Sequence, residues 1–90
     1  MALYLVSYEL RGRGRSYDAL WEDLRGAGGI CVHDGVWLVD VRQNGDEVAA
    51  ALRSHMLEDD RFLVVEIGRD TPIIAHNTIS SVQDWLTARG

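Results

Sequence analysis

Cysteine is almost absent from this sequence. The one copy, Cys31, has no mate within the chain, so no internal disulfide forms and no oxidising compartment is required. Set in the apolar stretch Gly29-Ile30-Cys31-Val32, it reads as a small core residue rather than a nucleophile. Long apolar runs are missing too. No stretch approaches the roughly 20 apolar residues of a membrane span. The N-terminus, Met1-Ala2-Leu3-Tyr4-Leu5-Val6-Ser7, has neither the basic start nor the apolar run of a secretory leader. The expectation is a cytoplasmic protein with no membrane partner. Positive charge is scarce: nine Lys plus Arg stand against fourteen Asp plus Glu, for a formal charge of −5. This argues against coating nucleic acid through a broadly basic surface, though not against a local basic patch. Repeats, linkers and low-complexity segments are lacking, and 90 residues suffice for a single domain, 1–90.

What is present is a regular alternation of elements. Leu3 to Glu9 alternates as a strand. Ser16 is placed to cap a helix whose apolar positions are Tyr17, Leu20, Trp21 and Leu24, stopped by Gly26-Ala27-Gly28-Gly29. Ile30–His33 and Val36–Val41 form a hairpin about Asp34-Gly35, where a tight turn wants positive φ. After the break at Asn44-Gly45, Asp46 and Glu47 begin a helix with an apolar stripe of Val48, Ala51, Leu52 and Met56. Arg61–Ile67 is the last clear strand. These make a core of 1–68. The remainder, 69–90, is an extension with a short edge strand at Pro72–Ala75 and a helix holding Val82, Trp85 and Leu86. The order is β-α-β-β-α-β. Right-handed crossovers turn it into an α+β, ferredoxin-like domain: a four-stranded antiparallel sheet with both helices on one face and the first and third strands central.

Period-two sorting gives the sheet two faces. Tyr4, Val6, Tyr8, Trp37, Val39, Val41, Leu63, Val65 and Ile67 are assigned to the helix-covered face. Leu3, Leu5, Ser7, Glu9, Val36, Leu38, Asp40, Phe62, Val64 and Glu66 are assigned to the other. The second set is apolar in the middle, and two helices cannot cover it as well. A bare patch of that kind calls for a partner. The expected interface of a homodimer is Leu3, Leu5, Ser7, Leu38, Phe62 and Val64. The competing expectation is that the C-terminal segment folds back over this face, in its own chain or exchanged with a neighbour.

Few residues suggest chemistry. Glu9 closes the first strand on the second face, where a carboxylate can act as a base or hold a hard cation. One such group per chain is too few for a tight site, and a two-fold dimer would supply two. Arg11, Arg13 and Arg15 alternate with Gly12 and Gly14, a loop suited to phosphate contact. It lacks the Gly-Lys-Ser/Thr ending of a nucleotide-hydrolysing loop. His33, His55 and His76 show no paired ligand spacing with Cys31. Glu58-Asp59-Asp60 reads as a solvated connection, and Trp21, Trp37 and Trp85 as core anchors.

The strand Tyr4-Leu5-Val6-Ser7-Tyr8-Glu9-Leu10 carries a resemblance. So do the Tyr17/Leu20/Trp21 helix, the Trp37-Leu38-Val39 strand and the Leu63-Val64-Val65-Glu66-Ile67-Gly68 strand. Together they resemble the small SinR-like proteins, relatives of the CRISPR-associated Cas2 family and of VapD-type ribonucleases. The likeness runs through Gly68 and fades in the tail. It implies a ferredoxin-like homodimer. In nuclease members an aspartate closes the first strand and meets its mate across the two-fold to bind a divalent metal, Mg²⁺ or Mn²⁺. Glu9 stands at that place, so the resemblance implies a catalytic and metal-binding Glu9, with a longer arm than the family's aspartate. Two functions are expected from these readings. One is a homodimer acting on or near RNA or DNA, as a weak metal-dependent endonuclease or a toxin-type ribonuclease. The other is a non-catalytic dimeric module that binds a protein partner. Whether the chain is an enzyme stays open.

Overall fold

A computed structural model describes residues 1–12, 14 and 16–89. Seven elements follow in order: β1 (Ala2–Glu9), α1 (Asp18–Gly26), β2 (Ile30–His33), β3 (Val36–Val41), α2 (Gly45–Arg53), β4 (Arg61–Ile67) and α3 (Val82–Arg89). The four strands form one antiparallel sheet in the order β2-β3-β1-β4, compatible with a ferredoxin-like fold. β1 and β3 are therefore central.

Local chemistry accounts for the helix ends. Asn44 accepts from the Glu47 amide at 2.8 Å, and the Glu47 carboxylate accepts from the Asn44 amide at 3.0 Å. This capping box satisfies two amides that the first turn of α2 leaves free. α1 begins differently. Its N-cap is Tyr17, not Ser16, and no side chain caps it; the Ser16 hydroxyl instead accepts from the Asp18 amide at 3.3 Å. The β2–β3 turn is made by Gly35 at φ +77°. The segment Pro72–Ala75 forms no strand. Proline has no amide to give a ladder.

α1 and α2 cover the first face. Tyr4, Val6, Leu20, Leu24, Trp37, Val39 and Leu52 make its core, with Phe62 and Val64 packed against it. The last two correct the sorting made from sequence. In the β1–β4 register Tyr8 lies opposite Phe62, Val6 opposite Val64 and Tyr4 opposite Glu66. Directly opposed residues of an antiparallel pair share a face. Phe62, Val64 and Glu66 thus belong to the helix side. Leu63, Val65 and Ile67, opposite Ser7, Leu5 and Leu3, belong to the second face. The β3 assignment is as read, since Leu3, Leu5 and Ser7 lie opposite Asp40, Leu38 and Val36.

The second face is not left open along its whole width. The C-terminal segment returns across it. Ile79 donates its amide to the Val32 carbonyl at 2.8 Å, on the outer edge of β2. Trp85 Nε1 donates to the Gly28 carbonyl at 2.9 Å, and Arg89 Nε to Asp40 Oδ2 at 2.9 Å. Between this cover and the sheet Leu3, Leu38 and, from α3 itself, Val82 are buried. Each such side chain contributes roughly 1.5–3 kcal/mol when fully removed from water. On the β4 side the cover ends, and Leu63 is 60% and Val65 43% exposed.

Candidate functional site

The end of β1 brings two of the sequence candidates, Glu9 and Arg11, to one corner. Glu9 lies opposite Arg61 of β4, and Arg61 Nη1 approaches Glu9 Oε2 to 3.5 Å. Both side chains are mostly exposed, so water screens the pair and it adds at most about 1 kcal/mol. It orients Glu9 without locking it.

The residue that organises this corner is Asp60, which sequence reasoning placed in a solvated run. Its Oδ1 accepts from the Arg11 amide at 2.7 Å. Its Oδ2 accepts from the Tyr17 hydroxyl and from the Leu57 amide, each at 2.8 Å. The Tyr17 hydroxyl in turn accepts from the Gly12 amide at 3.1 Å. One carboxylate thus ties the loop after β1, the start of α1 and the turn before β4. The signal available in sequence was only a turn aspartate three residues after Leu57, which any Asx turn shares.

Arg11 is exposed and its backbone is held by Asp60. Arg13 and Arg15 lie outside the described residues. All nine basic side chains of the chain are arginines. Arg61 joins Arg11 at this corner, and the Arg53 guanidinium sits 5.7 Å from the Phe62 ring centre. Glu9 and Asp60 share the corner, with Glu58 and Asp59 adjoining in sequence. Among the described residues, positive charge at this corner is therefore interleaved with negative.

Of the residues expected at a dimer interface, Leu3, Leu5, Ser7 and Leu38 do share the second face, and Phe62 and Val64 do not. Leu3 and Leu38 lie under the C-terminal cover, while Leu5 and Ser7 are half-buried. A cleft of about 510 Å³ runs between this face and the returning segment, lined by Leu5, Leu38, Ile67, Pro72, Ile73 and Val82, among others. His33 and His76 also border it.

Metal ligation within one chain finds little support. Among the described residues no group of three or more His, Cys, Asp and Glu side chains is gathered to hold an ion. Glu9 is paired with Arg61, and the Asp60 carboxylate at this corner is taken up by the Arg11 and Leu57 amides and the Tyr17 hydroxyl. Among the described residues, no donor set gathered within one chain fits a divalent cation. His55 Nε2 lies 2.5 Å from Asp23 Oδ2 and joins the end of α2 to α1.

On the helix side, Tyr8 is a polar hub. Its hydroxyl accepts from Trp21 Nε1 and from Trp37 Nε1, both at 2.9 Å. Cys31 lies nearby with its thiol donating weakly to the His33 carbonyl at 3.5 Å. Burial, and then the Asp34 charge, push that thiol up from its ordinary range, against a smaller opposing effect of Arg25. A thiol so placed carries little thiolate at neutral pH, so it is a poor nucleophile.

No protein-family model matches the chain, and no solved structure matches it significantly. Among the described residues no helix is long and apolar enough to cross a membrane.

Proposed function

We propose that this chain is a ferredoxin-like domain of the Cas2-like kind that works as a self-associating interaction module, without catalysis of its own. The observation that carries this reading is the apolar strip left bare on the second face. Leu63 and Val65 stand exposed beside half-buried Leu5 and Ile67, on a regular strand at the edge of the sheet. A rigid apolar strand face is a surface suited to another protein. The expected result is twice the chain mass by light scattering at micromolar concentration, with Leu63→Asp shifting the species to the monomer. Leu63 is solvent-exposed in the monomer, so the substitution leaves the fold intact. A wild-type monomer under these conditions would refute the reading.

A second reading rests on the position of Glu9. It lies on the second face at the C-terminal end of a central strand. A two-fold through that face would bring two Glu9 carboxylates together, the number that Mg²⁺ commonly takes from protein. RNA or DNA would then be the substrate, with Arg11, Arg13 and Arg15 contacting phosphate. On this reading labelled RNA or DNA is cleaved with Mg²⁺ or Mn²⁺, and Glu9→Gln abolishes cleavage while leaving the mass of the dimer unchanged. Equal cleavage by both proteins removes Glu9 from the chemistry, and no cleavage by either leaves the module.

A further inference from the structure

We propose that the groove between α1 and α2 is a binding site for a small organic cation, an amine carried on a compact apolar body. The site lies on the helix side of the sheet, and it holds whether or not the domain associates.

The groove follows from the spacing of residues on the two helices. α1 lines it with Leu20, Asp23, Leu24 and Ala27. α2 and the turn after it supply Val48, Ala51, Leu52 and His55. Each set has the i, i+3, i+4, i+7 spacing of one helical face. The leucines fill the bottom of the gap. Ala27 and Ala51 are exposed and end at a methyl group, so the top stays unfilled. A cavity of about 220 Å³ remains. An apolar cavity of about 150 Å³ already holds a benzene ring, whereas drug-sized ligands take roughly 300–1,000 Å³. The occupant is therefore small.

Depth and rim ask for different chemistry. Leu20, Leu24, Val39 and Leu52 form the floor and belong to the buried core. Their side chains offer no hydrogen bond, so the inner part of the ligand is apolar. The charged or titratable side chains of the lining are Asp23, Glu47 and His55, and among the described residues no arginine joins them. His55 has Asp23 Oδ2 as its partner, so it offsets one carboxylate at most. Glu47 gives Oε1 to the Asn44 amide. Among the described residues one oxygen of each carboxylate remains for a ligand, and the rim is acidic. An ammonium brings the opposite charge and three donors. A ligand carboxylate meets like charge. Both acids are also held in place, Asp23 by His55 and Glu47 by its capping box, so binding has little left to order.

The test uses the full chain and three probes that share a phenyl body: 2-phenylethylamine, 2-phenylethanol and 3-phenylpropionate. Methyl resonances of Leu20, Val39 and Val48 report occupancy in titrations followed by NMR. The amine is expected to shift these methyls and to bind about fivefold tighter than the alcohol, with the propionate weaker than both. Asp23→Asn combined with Glu47→Gln keeps side-chain size and the capping hydrogen bonds, and should make amine and alcohol bind alike. Ala51→Phe lays a ring into the mouth from an exposed position, and should abolish binding of all three without lowering the melting temperature. Ala51→Met is a slimmer plug that repeats the test should the ring disturb α2. If millimolar amine leaves the methyls unmoved, the groove is not a ligand site and the proposal is overturned. If wild type binds alcohol and amine equally, the acidic rim does not select and the cation is overturned. If the plugged proteins fold and still bind the amine as wild type does, the amine sits elsewhere and the groove is overturned. None of these results touches the mass of the wild-type species, which alone decides self-association.

Discussion

Gly35→Ala is expected to lower the stability of this domain by about 2–4 kcal/mol, a large share of the roughly 5–14 kcal/mol a chain of this size has. Two independent costs add. Gly35 sits at φ +77°, where a side chain is strained by about 1–2 kcal/mol. A Cβ there would also meet the Tyr8 carbonyl oxygen at 2.6 Å. That oxygen belongs to the backbone of a central strand and cannot swing aside. The Gly35 carbonyl meanwhile accepts from the Tyr8 amide at 2.8 Å, so moving the turn away loses a hydrogen bond that ties the hairpin to β1. Gly28 provides the control. It has φ +80° with open space around its Cβ position, so Gly28→Ala carries the strain alone, about 1 kcal/mol. Thermal unfolding of the two variants separates the terms. Equal losses would show that the close approach to Tyr8 costs nothing.

That turn was among the features legible in the chain, because Asp34-Gly35 between two apolar runs has few other meanings. β1 and β3 were equally legible, since their polar residues, Ser7 and Glu9 in β1 and Asp40 in β3, all fall on one side and so mark the face turned from the helices. β4 was not. Phe62, Leu63, Val64 and Val65 are apolar at four consecutive positions, so period two gives no preference there. The face is set by register, which pairs Arg61 with Glu9 and so turns Phe62 and Val64 toward Tyr8 and Val6. A shift by one residue exchanges the faces of a strand, and that exchange put the wrong β4 residues in the expected interface.

The candidate site was legible only in part, for a related reason. Glu9 and Arg11 stand out by their position at a strand end. Asp60 does not, because its importance comes from Arg11, Gly12, Tyr17 and Leu57 meeting around it, and three of these are more than forty residues away. Asp40 behaves alike. It reads as a polar strand end, and gains an ion-pair partner only because Arg89, forty-nine residues on, lands on it. Local pattern reports the elements, whereas these carboxylates acquire meaning from contacts that close over long loops.

Tyr8→Phe is expected to destabilise the fold by about 2–4 kcal/mol, although it removes a single oxygen atom. That oxygen is the acceptor for two indole N–H groups, one from α1 and one from β3. Trp37 is buried, so its N–H cannot turn to water when the acceptor goes. Trp21 is half-buried and recovers part of its loss by hydration. Leaving a buried donor unpaired costs about 1–3 kcal/mol, more than the net value of the bond itself. The same hub gives a pH signature. Burial raises the Tyr8 phenol above its usual 10.0, outweighing the two indole bonds that lower it, and the Cys31 and Asp34 charges add to the rise. The fold therefore favours the neutral phenol. This contribution is fully present below about pH 10 and is lost as pH climbs through the higher folded value. Wild type should lose stability over that range more steeply than Tyr8→Phe, which has no phenol at this position. Tyr4 and Tyr17 remain in both proteins, so the difference between the two curves isolates Tyr8. Unfolding midpoints followed across alkaline pH, with phenolate absorbance recorded alongside, make the measurement. A Tyr8→Phe protein that melts with wild type at neutral pH and shows the same alkaline slope would mean that the two tryptophans find other acceptors, and that the hub does not hold α1 to the sheet.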